Sequence, residues 1–154
     1  KTSLCKQFFY HTTKREYNAL VWGPFADDEG TITGNIGRHA KDRLQMDVYP
    51  MDGEIGKPAI THYKVLKHFA KHTYMEFELE TGRTHQIRVH MAHIGHPILG
   101  DTVYGHKKAE LGQDSQCLHA GALCFRHPRD GRPVMVFAPL PDYFQRVLEK
   151  LNNL

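Results

Sequence analysis

Two neighbouring segments that alternate between apolar and polar residues constrain the fold most strongly. Residues 59–69 and 73–81 both alternate with a period of two, which is typical of strands with one buried face. Only residues 70–72 separate them, so the pair is predicted to form an antiparallel hairpin. A chain built around such a hairpin favours a sheet in which strands pair with their neighbours in sequence.

Elsewhere the pattern predicts more strands than helices. Strands are predicted at residues 16–23 and 31–37, the second interrupted by glycines, and a second hairpin pairs residues 118–125 with residues 134–138. Amphipathic helices are predicted within residues 1–12, at residues 84–93 and at residues 142–151. The predicted fold class is therefore α+β, a single domain with a predominantly antiparallel or mixed sheet and a few flanking helices.

Charge and cysteine content indicate which partners and which cellular compartment to expect. A formal charge of +3 permits an anionic partner without requiring one. The three cysteines are odd in number, which argues against a disulfide framework and for a reducing compartment, so we expect a cytoplasmic protein. No apolar run approaches the ~18 residues of a membrane-spanning helix, so no membrane partner is expected. The chain begins with lysine rather than methionine, and we expect a piece of a longer protein.

Residues 80–105 concentrate polar side chains beyond what packing requires. They include two arginines, four histidines and a glutamine, so we expect part of any active site here. A metal site is disfavoured because no cysteine or carboxylate lies close enough in sequence to complete a tetrahedral set with His90 and His93. A hydrolase triad is disfavoured because neither Ser3 nor Ser115 lies in a G-x-S-x-G setting.

Other polar groups differ in how strongly they indicate a site. Cys117 and Cys124 lie in a predicted strand and are expected to fill the core. Arg83 stands between a strand end and a helix start, where a permanently charged guanidinium and a helix N-terminus both favour an anion. The alternative for Arg83 is a solvated helix start with a salt bridge, and spacing alone does not separate the two.

The same stretch resembles a known family. Residues 80–105 read E-T-G-R-T-H-Q-I-R-V-H-M-A-H-I-G-H-P-I-L-G-D-T-V-Y-G and resemble, almost residue for residue, the signature region of the RluA-type RNA pseudouridine synthases. Residues 15–23, 36–43, 56–63, 118–120 and 138–141 resemble other family segments in the same order. The resemblance covers essentially the whole chain.

The resemblance implies an enzyme that isomerises uridine to pseudouridine in RNA without a cofactor. In the family a uridine is flipped out of the RNA, its N1–C1′ bond is broken, the uracil turns, and C5 is joined to C1′. Tyr17 matches the tyrosine that stacks on the base and is proposed to remove the C5 proton, and Arg83 matches the arginine that pairs with the catalytic aspartate. The residues expected to contact RNA are Arg38, Lys41, Arg43, His85, Gln86 and Arg88.

One family feature is missing from these 154 residues. The catalytic aspartate of the family lies in an H-R-L-D-x-x-T-S-G motif, and no such motif occurs here. From the order of the matching segments we expect the motif just before Lys1. The chain is thus predicted to be the C-terminal portion of a synthase catalytic domain, inactive alone, with an exposed sheet edge that favours self-association.

Three functional hypotheses follow. The leading one is an RNA pseudouridine synthase that acts on structured ribosomal or transfer RNA and needs no cofactor or metal. The alternative is a non-catalytic RNA-binding module that keeps the synthase scaffold. A weaker third is a metal-dependent enzyme of nucleic acids. The sequence leaves open which RNA and which uridine are recognised.

Overall fold

The computed structural model of the chain describes residues 14–154. The strands in this range are β1 Lys14–Trp22, β2 Glu29–Thr33, β3 Asn35–Arg38, β4 Met46–Tyr49, β5 Ile60–His68, β6 His72–Leu79, β7 Leu118–Arg126 and β8 Pro133–Phe137. The helices in this range are α1 Gln86–His93 and α2 Asp142–Asn152. The helix predicted within residues 1–12 lies outside the described residues.

Six of these strands form one sheet in the order β2-β5-β6-β1-β7-β8. Each neighbouring pair is antiparallel. Both predicted hairpins, β5–β6 and β7–β8, are present, and β1 lies between β6 and β7 near the centre. The arrangement confirms the predicted α+β class with a mainly antiparallel sheet.

The strand predicted at residues 31–37 is in fact two strands of different sheets. β2 pairs with β5 at one edge of the large sheet, whereas β3 pairs with β4 in a separate two-stranded sheet. The chain crosses between them at Gly34, where a Cβ atom would lie 2.6 Å from Cγ1 of Val48. Glycine fits this close approach. Alternation alone could not reveal the break, because β2 and β3 are nearly continuous in sequence.

α1 begins two residues later than predicted. His85, directly before it, takes a left-handed backbone conformation with a φ of 56°, so the helix starts at Gln86. Gly95 follows the helix end with a φ of 87°, as expected of a glycine that terminates a helix. Within residues 14–154, no helix has the length and apolar character that crossing a bilayer would need.

Different helices cover the two faces of the sheet. Ala19 and Val21 of β1 pack with Ile87 and Met91 of α1, and Tyr17 lies against the same cluster. Leu20 points to the opposite face, where α2 covers it with Phe144, Val147 and Leu151. Because α1 packs beside Tyr17, the loop that precedes α1 is brought next to the first half of β1.

The two described cysteines are both buried, as predicted for core residues. Cys117 is a free thiol, and burial raises its pKa to about 12, with Glu110 adding to the rise. A thiol with such a pKa is a poor nucleophile near neutral pH. Cys124 is disulfide-bonded. This differs from the expectation drawn from the odd cysteine count, because an odd number still allows one pair.

Candidate active site

A cavity of about 380 Å³ opens where β1, the end of β6, the start of β7 and the start of α1 meet. Its described lining is Arg15, Tyr17, Leu79, Gly82, Arg83, His85, Gln86, Ile87, Arg88, Gln116 and Leu118. Three of these residues are arginines, and none is an aspartate or glutamate. The cavity therefore presents an excess of positive charge, which suits a phosphate, a carboxylate or an electron-rich base.

The guanidinium of Arg83 is held through its Nε, whereas its two Nη groups are available to a ligand. Its Nε–H donates to the carbonyl oxygen of Pro58 at 2.8 Å. The ion pairs within residues 14–154 do not include Arg83, so its two Nη groups have no carboxylate partner there. A guanidinium held in this way keeps a planar pair of donors available for one anion.

Gln86 fixes the backbone of Arg83. Its Oε1 accepts the backbone N–H of Arg83 at 3.0 Å and the hydroxyl of Thr81 at 2.8 Å. Its Nε2 donates to the carbonyl of Ile60 and to the hydroxyl of Thr61, both at 3.0 Å. Gln86 is only 2% exposed. Its polar atoms are thus engaged inside the protein, so the geometry differs from the predicted RNA contact and makes Gln86 a support for Arg83.

His85 and Arg88 are both fixed by Tyr104. The Tyr104 hydroxyl lies 2.7 Å from Nδ1 of His85 and accepts the backbone N–H of Met46 at 2.9 Å. The guanidinium of Arg88 lies 5.1 Å from the centre of the Tyr104 ring. Arg88 also donates twice to Asp101, at 2.8 and 3.1 Å. This ion pair ties α1 to the turn that carries Tyr104.

Asp101 remains charged although it is buried. Burial acts to raise its pKa, but hydrogen bonds from Arg88, Tyr104 and Val103 outweigh this and hold the pKa below its ordinary value of 3.8. Arg88 lines the cavity, but its charge is largely balanced by Asp101. Asp101 and Tyr104 lie within residues 80–105 but are not among the predicted site residues. The ion pair between Arg88 and Asp101 spans 13 residues, so local sequence spacing does not reveal it.

Tyr17 lies half-buried in β1 at an irregularity of the sheet. It pairs with Phe77 of β6 and Ala120 of β7, and the register with β7 shifts between Glu16 and Tyr17. Such bulges often redirect side chains beside active sites. Arg15, two residues earlier, lines the cavity with Tyr17, and its Nη1 lies 3.9 Å from where a Cβ of Gly82 would be. The sequence predicts no role for Arg15. Its position beside the loop of Arg83 results from the pairing of strands that are distant in sequence, which local patterns do not show.

A second cleft of about 530 Å³ shares Gly82 and Arg83 with the first cavity. Arg38 and Arg43 both line it, and Nη1 of Arg38 donates to the Arg43 carbonyl at 3.0 Å. Lys57 also lines it and was not predicted. Lys41 is exposed in the intervening loop and lines neither cavity. The structure thus places Arg38 and Arg43, but not Lys41, in one groove with Arg83.

Two of the histidines that follow His85, His90 and His96, support the fold. His90 is fully buried, and burial lowers its pKa, so the ring is neutral near pH 7. It lies 2.8 Å from the Thr61 hydroxyl and 3.2 Å from the Gly34 carbonyl. His96 bonds to the Trp22 carbonyl at 2.8 Å. In the described range no group of three or more histidine, cysteine or acidic side chains is placed to hold a metal ion.

The fold is that of pseudouridine synthase domains. The human RNA Pseudouridylate Synthase Domain Containing 1 structure superposes with a TM-score of 0.68 and 27% identity, over 98% of this chain and 69% of the human one. The human Domain Containing 4 structure superposes with a TM-score of 0.73 over 97% of this chain and 66% of the human one, at 22% identity.

Sequence comparison then defines the family. Residues 2–93 match the RNA pseudouridylate synthase family. An uncharacterised RNA pseudouridine synthase of Bacillus subtilis, YlyB, is 47% identical over 151 residues, which are 98% of this chain and 48% of the relative. Ribosomal large subunit pseudouridine synthase D of Vibrio cholerae is 44% identical over 154 residues, 92% of this chain and 46% of the relative. The chain belongs to the RNA pseudouridylate synthase family and is of the RluA type. It spans about half the length of these relatives.

Proposed function

We propose that these 154 residues are the portion of an RluA-type pseudouridine synthase that receives the target uridine and supplies Tyr17 and Arg83. The observation that carries the proposal is the cavity itself. It brings Tyr17 together with an arginine whose Nη groups have no carboxylate partner within residues 14–154, and its described lining contains three arginines and no acid. The catalytic carboxylate is therefore expected from another part of the parent protein.

Arg83 is suited to receive that carboxylate. Its Nε is already engaged by Pro58, so the side chain has lost part of its freedom before an aspartate arrives. The remaining Nη donors can form charge-assisted hydrogen bonds, which are shorter and stronger than neutral ones. Arg83 would thus fix the aspartate against the ribose carbon and keep it ionised.

Tyr17 is placed to act on the base. A flipped uracil in the cavity would lie against its ring, as bases do on aromatic side chains of RNA-binding proteins. In the reaction the N1–C1′ bond breaks and a C5–C1′ bond forms. The proton on C5 then leaves to the Tyr17 oxygen, and N1 regains a proton. The isomerisation involves no net oxidation or reduction, so this chemistry needs no redox cofactor.

The second cleft would hold the RNA backbone. Arg38 and Arg43 lie in one groove with Arg83, and Lys41 extends the same basic hairpin loop. Arginine and lysine contacts to phosphates give affinity that falls as salt rises. The substrate is proposed to be a loop of ribosomal or transfer RNA in the cytoplasm, because an unpaired uridine is the easiest to flip.

RNA binding and chemistry are tested separately on the 154-residue chain. The chain should bind a uridine-containing RNA stem-loop, and the Arg38→Ala/Arg43→Ala double variant should reduce the slope of log affinity against log salt by about 2. Lys108→Ala, an exposed charge that lines neither cavity, is the matched control and should leave the slope unchanged. An unchanged slope in the double variant would refute the proposed RNA groove.

The same 154-residue chain tests whether the catalytic carboxylate comes from another part of the parent protein. Incubated with RNA that carries tritium at C5 of uridine, it should release no tritium above a control without protein. Release above that control would show that the described cavity lacks nothing essential, and would overturn the proposed origin of the aspartate.

A further inference from the structure

His85 has an unusual backbone at the edge of the cavity. Only His85 and Leu111 have a positive φ among the non-glycine residues of the described range. A left-handed conformation is disfavoured for a side chain with a Cβ and persists where surrounding contacts enforce it. The residue makes no side-chain capping bond to α1. Its ring is instead directed to Tyr104, so the contact with Tyr104 is the feature to explain.

The Tyr104 hydroxyl faces Nδ1 of His85, so the direction of their hydrogen bond sets which ring nitrogen carries the proton. The hydroxyl oxygen accepts the N–H of Met46 at 2.9 Å, its own hydrogen is available for donation, and Nδ1 of His85 lies within hydrogen-bond distance at 2.7 Å. Burial, followed by the charge of Arg88, lowers the pKa of His85, and a neutral ring can accept at Nδ1. When the hydroxyl donates to Nδ1, the proton of the neutral ring resides on Nε2.

Tyr104 is itself held from two sides. Its ring lies beneath the Arg88 guanidinium at 5.1 Å, and its backbone N–H donates to Asp101 at 3.1 Å. Asp101 also receives the bidentate bonds of Arg88, so ring and backbone are both tied to one buried ion pair. Through Met46, the first residue of β4, the hydroxyl also holds the hairpin that carries Arg38.

We propose that Tyr104 is a positioning residue that presents His85 to the cavity as a hydrogen-bond donor through Nε2–H. The acceptor on the ligand would be an oxygen of the bound nucleotide. The inference rests on the proposed function for its ligand. The positioning of His85, however, is a property of the protein alone and can be measured without RNA.

The direct test is the tautomer of His85 in the Tyr104→Phe variant. Long-range ¹H–¹⁵N NMR spectra of the wild-type chain at pH 7.5 should show the Nε2–H tautomer. Tyr104→Phe keeps the ring beneath Arg88 but removes the hydroxyl, so both tautomers should be populated. Tyr49→Phe is the matched control, because the Tyr49 hydroxyl donates to the Arg38 carbonyl of the same hairpin at 2.7 Å and does not contact His85. It should leave the His85 tautomer unchanged.

RNA affinity provides the second measurement. Tyr104→Phe should weaken binding of a fluorescein-labelled uridine stem-loop by about three- to tenfold, the range of one hydrogen bond. His85→Asn, with a side chain that tolerates the left-handed backbone, removes the imidazole ring and with it the Nε2–H that the proposal invokes. If Tyr104 acts through His85, Tyr104→Phe should have little further effect in the His85→Asn background.

Two results would overturn the proposal. One is a single Nε2–H tautomer retained in Tyr104→Phe, and the other is a Tyr104→Phe effect on affinity that is the same in the wild-type background and in the His85→Asn background. Failure of the proposed function would be recognised by a different result, because the wild-type chain would not bind the uridine RNA. The tautomer measurement would still decide the role of Tyr104.

Discussion

A buried glutamate makes the stability of this protein depend on pH in an unusual direction. Glu78 of β6 lies opposite Glu16 of β1 and is fully buried, and neither of its carboxyl oxygens has a hydrogen bond within residues 14–154. Burial raises its pKa from 4.5 to about 7; Lys14 opposes the rise, and Glu76 and Glu80 add to it. The folded protein therefore favours the protonated form of Glu78.

The sign and size of the effect follow from this shift. In the unfolded chain Glu78 ionises near pH 4.5, whereas in the folded protein it ionises only near pH 7. Stability is then complete below the unfolded pKa and is lost as the pH rises through the folded pKa. The loss amounts to about 1 kcal/mol at pH 5 and about 3 kcal/mol at pH 8.

Glu78→Gln should remove this loss, because the amide is neutral at every pH. Urea unfolding followed by circular dichroism should show the variant gaining about 2 kcal/mol on the wild type between pH 5 and pH 8. Glu149→Gln, at an exposed position of α2, is the matched control and should follow the wild-type profile. Parallel profiles for Glu78→Gln and the wild type would refute the reasoning.

Three further predictions concern other parts of the molecule. Asp101→Asn removes the buried partner of Arg88 and should lower the free energy of unfolding by about 3 kcal/mol; a loss below about 1 kcal/mol in urea unfolding would contradict this. His90 should titrate below the ordinary value of 6.5 in an NMR experiment, and the stability due to its neutral ring should be lost as the pH falls below 6.5; a midpoint at or above 6.5 would be the opposite result. Phe137 of the edge strand β8 is 49% exposed, so Phe137→Lys should reduce self-association in sedimentation velocity, and an unchanged distribution would exclude this edge as the contact.

The pattern of the sequence predicts the strands of the large sheet, but it predicts neither β4 nor the side chains that pack against the sheet. Alternation located both hairpins, yet it indicates only which residues share a face. In β6 the alternating Glu76 and Glu78 look like the solvent side of a half-buried strand, whereas both are fully buried. Alternation also joins β2 to β3, because the close approach of Gly34 to Val48, where the chain changes sheets, is a tertiary feature.

The sequence likewise predicts some residues of the candidate site and not others. The strand-to-helix junction and the resemblance to the family identified Arg83 and Tyr17, and the fold places both in one cavity. Helical spacing put Gln86 and Arg88 near Arg83 but could not show that Gln86 is engaged inside the protein and Arg88 is paired with Asp101. Arg15 and Tyr104 reach the site through tertiary contacts, which local patterns do not encode.

The most direct measurement of the central claim restores a carboxylate to the cavity. A chimera would carry residues 1–154 in place of the matching 46% of the Vibrio cholerae synthase D and keep the remainder of that protein. It would be incubated with ribosomal RNA tritiated at C5 of uridine. The chimera should release tritium, and Tyr17→Phe and Arg83→Lys should each abolish release without unfolding the protein. A folded chimera that binds the RNA but releases no tritium would contradict the account and favour a non-catalytic RNA-binding module.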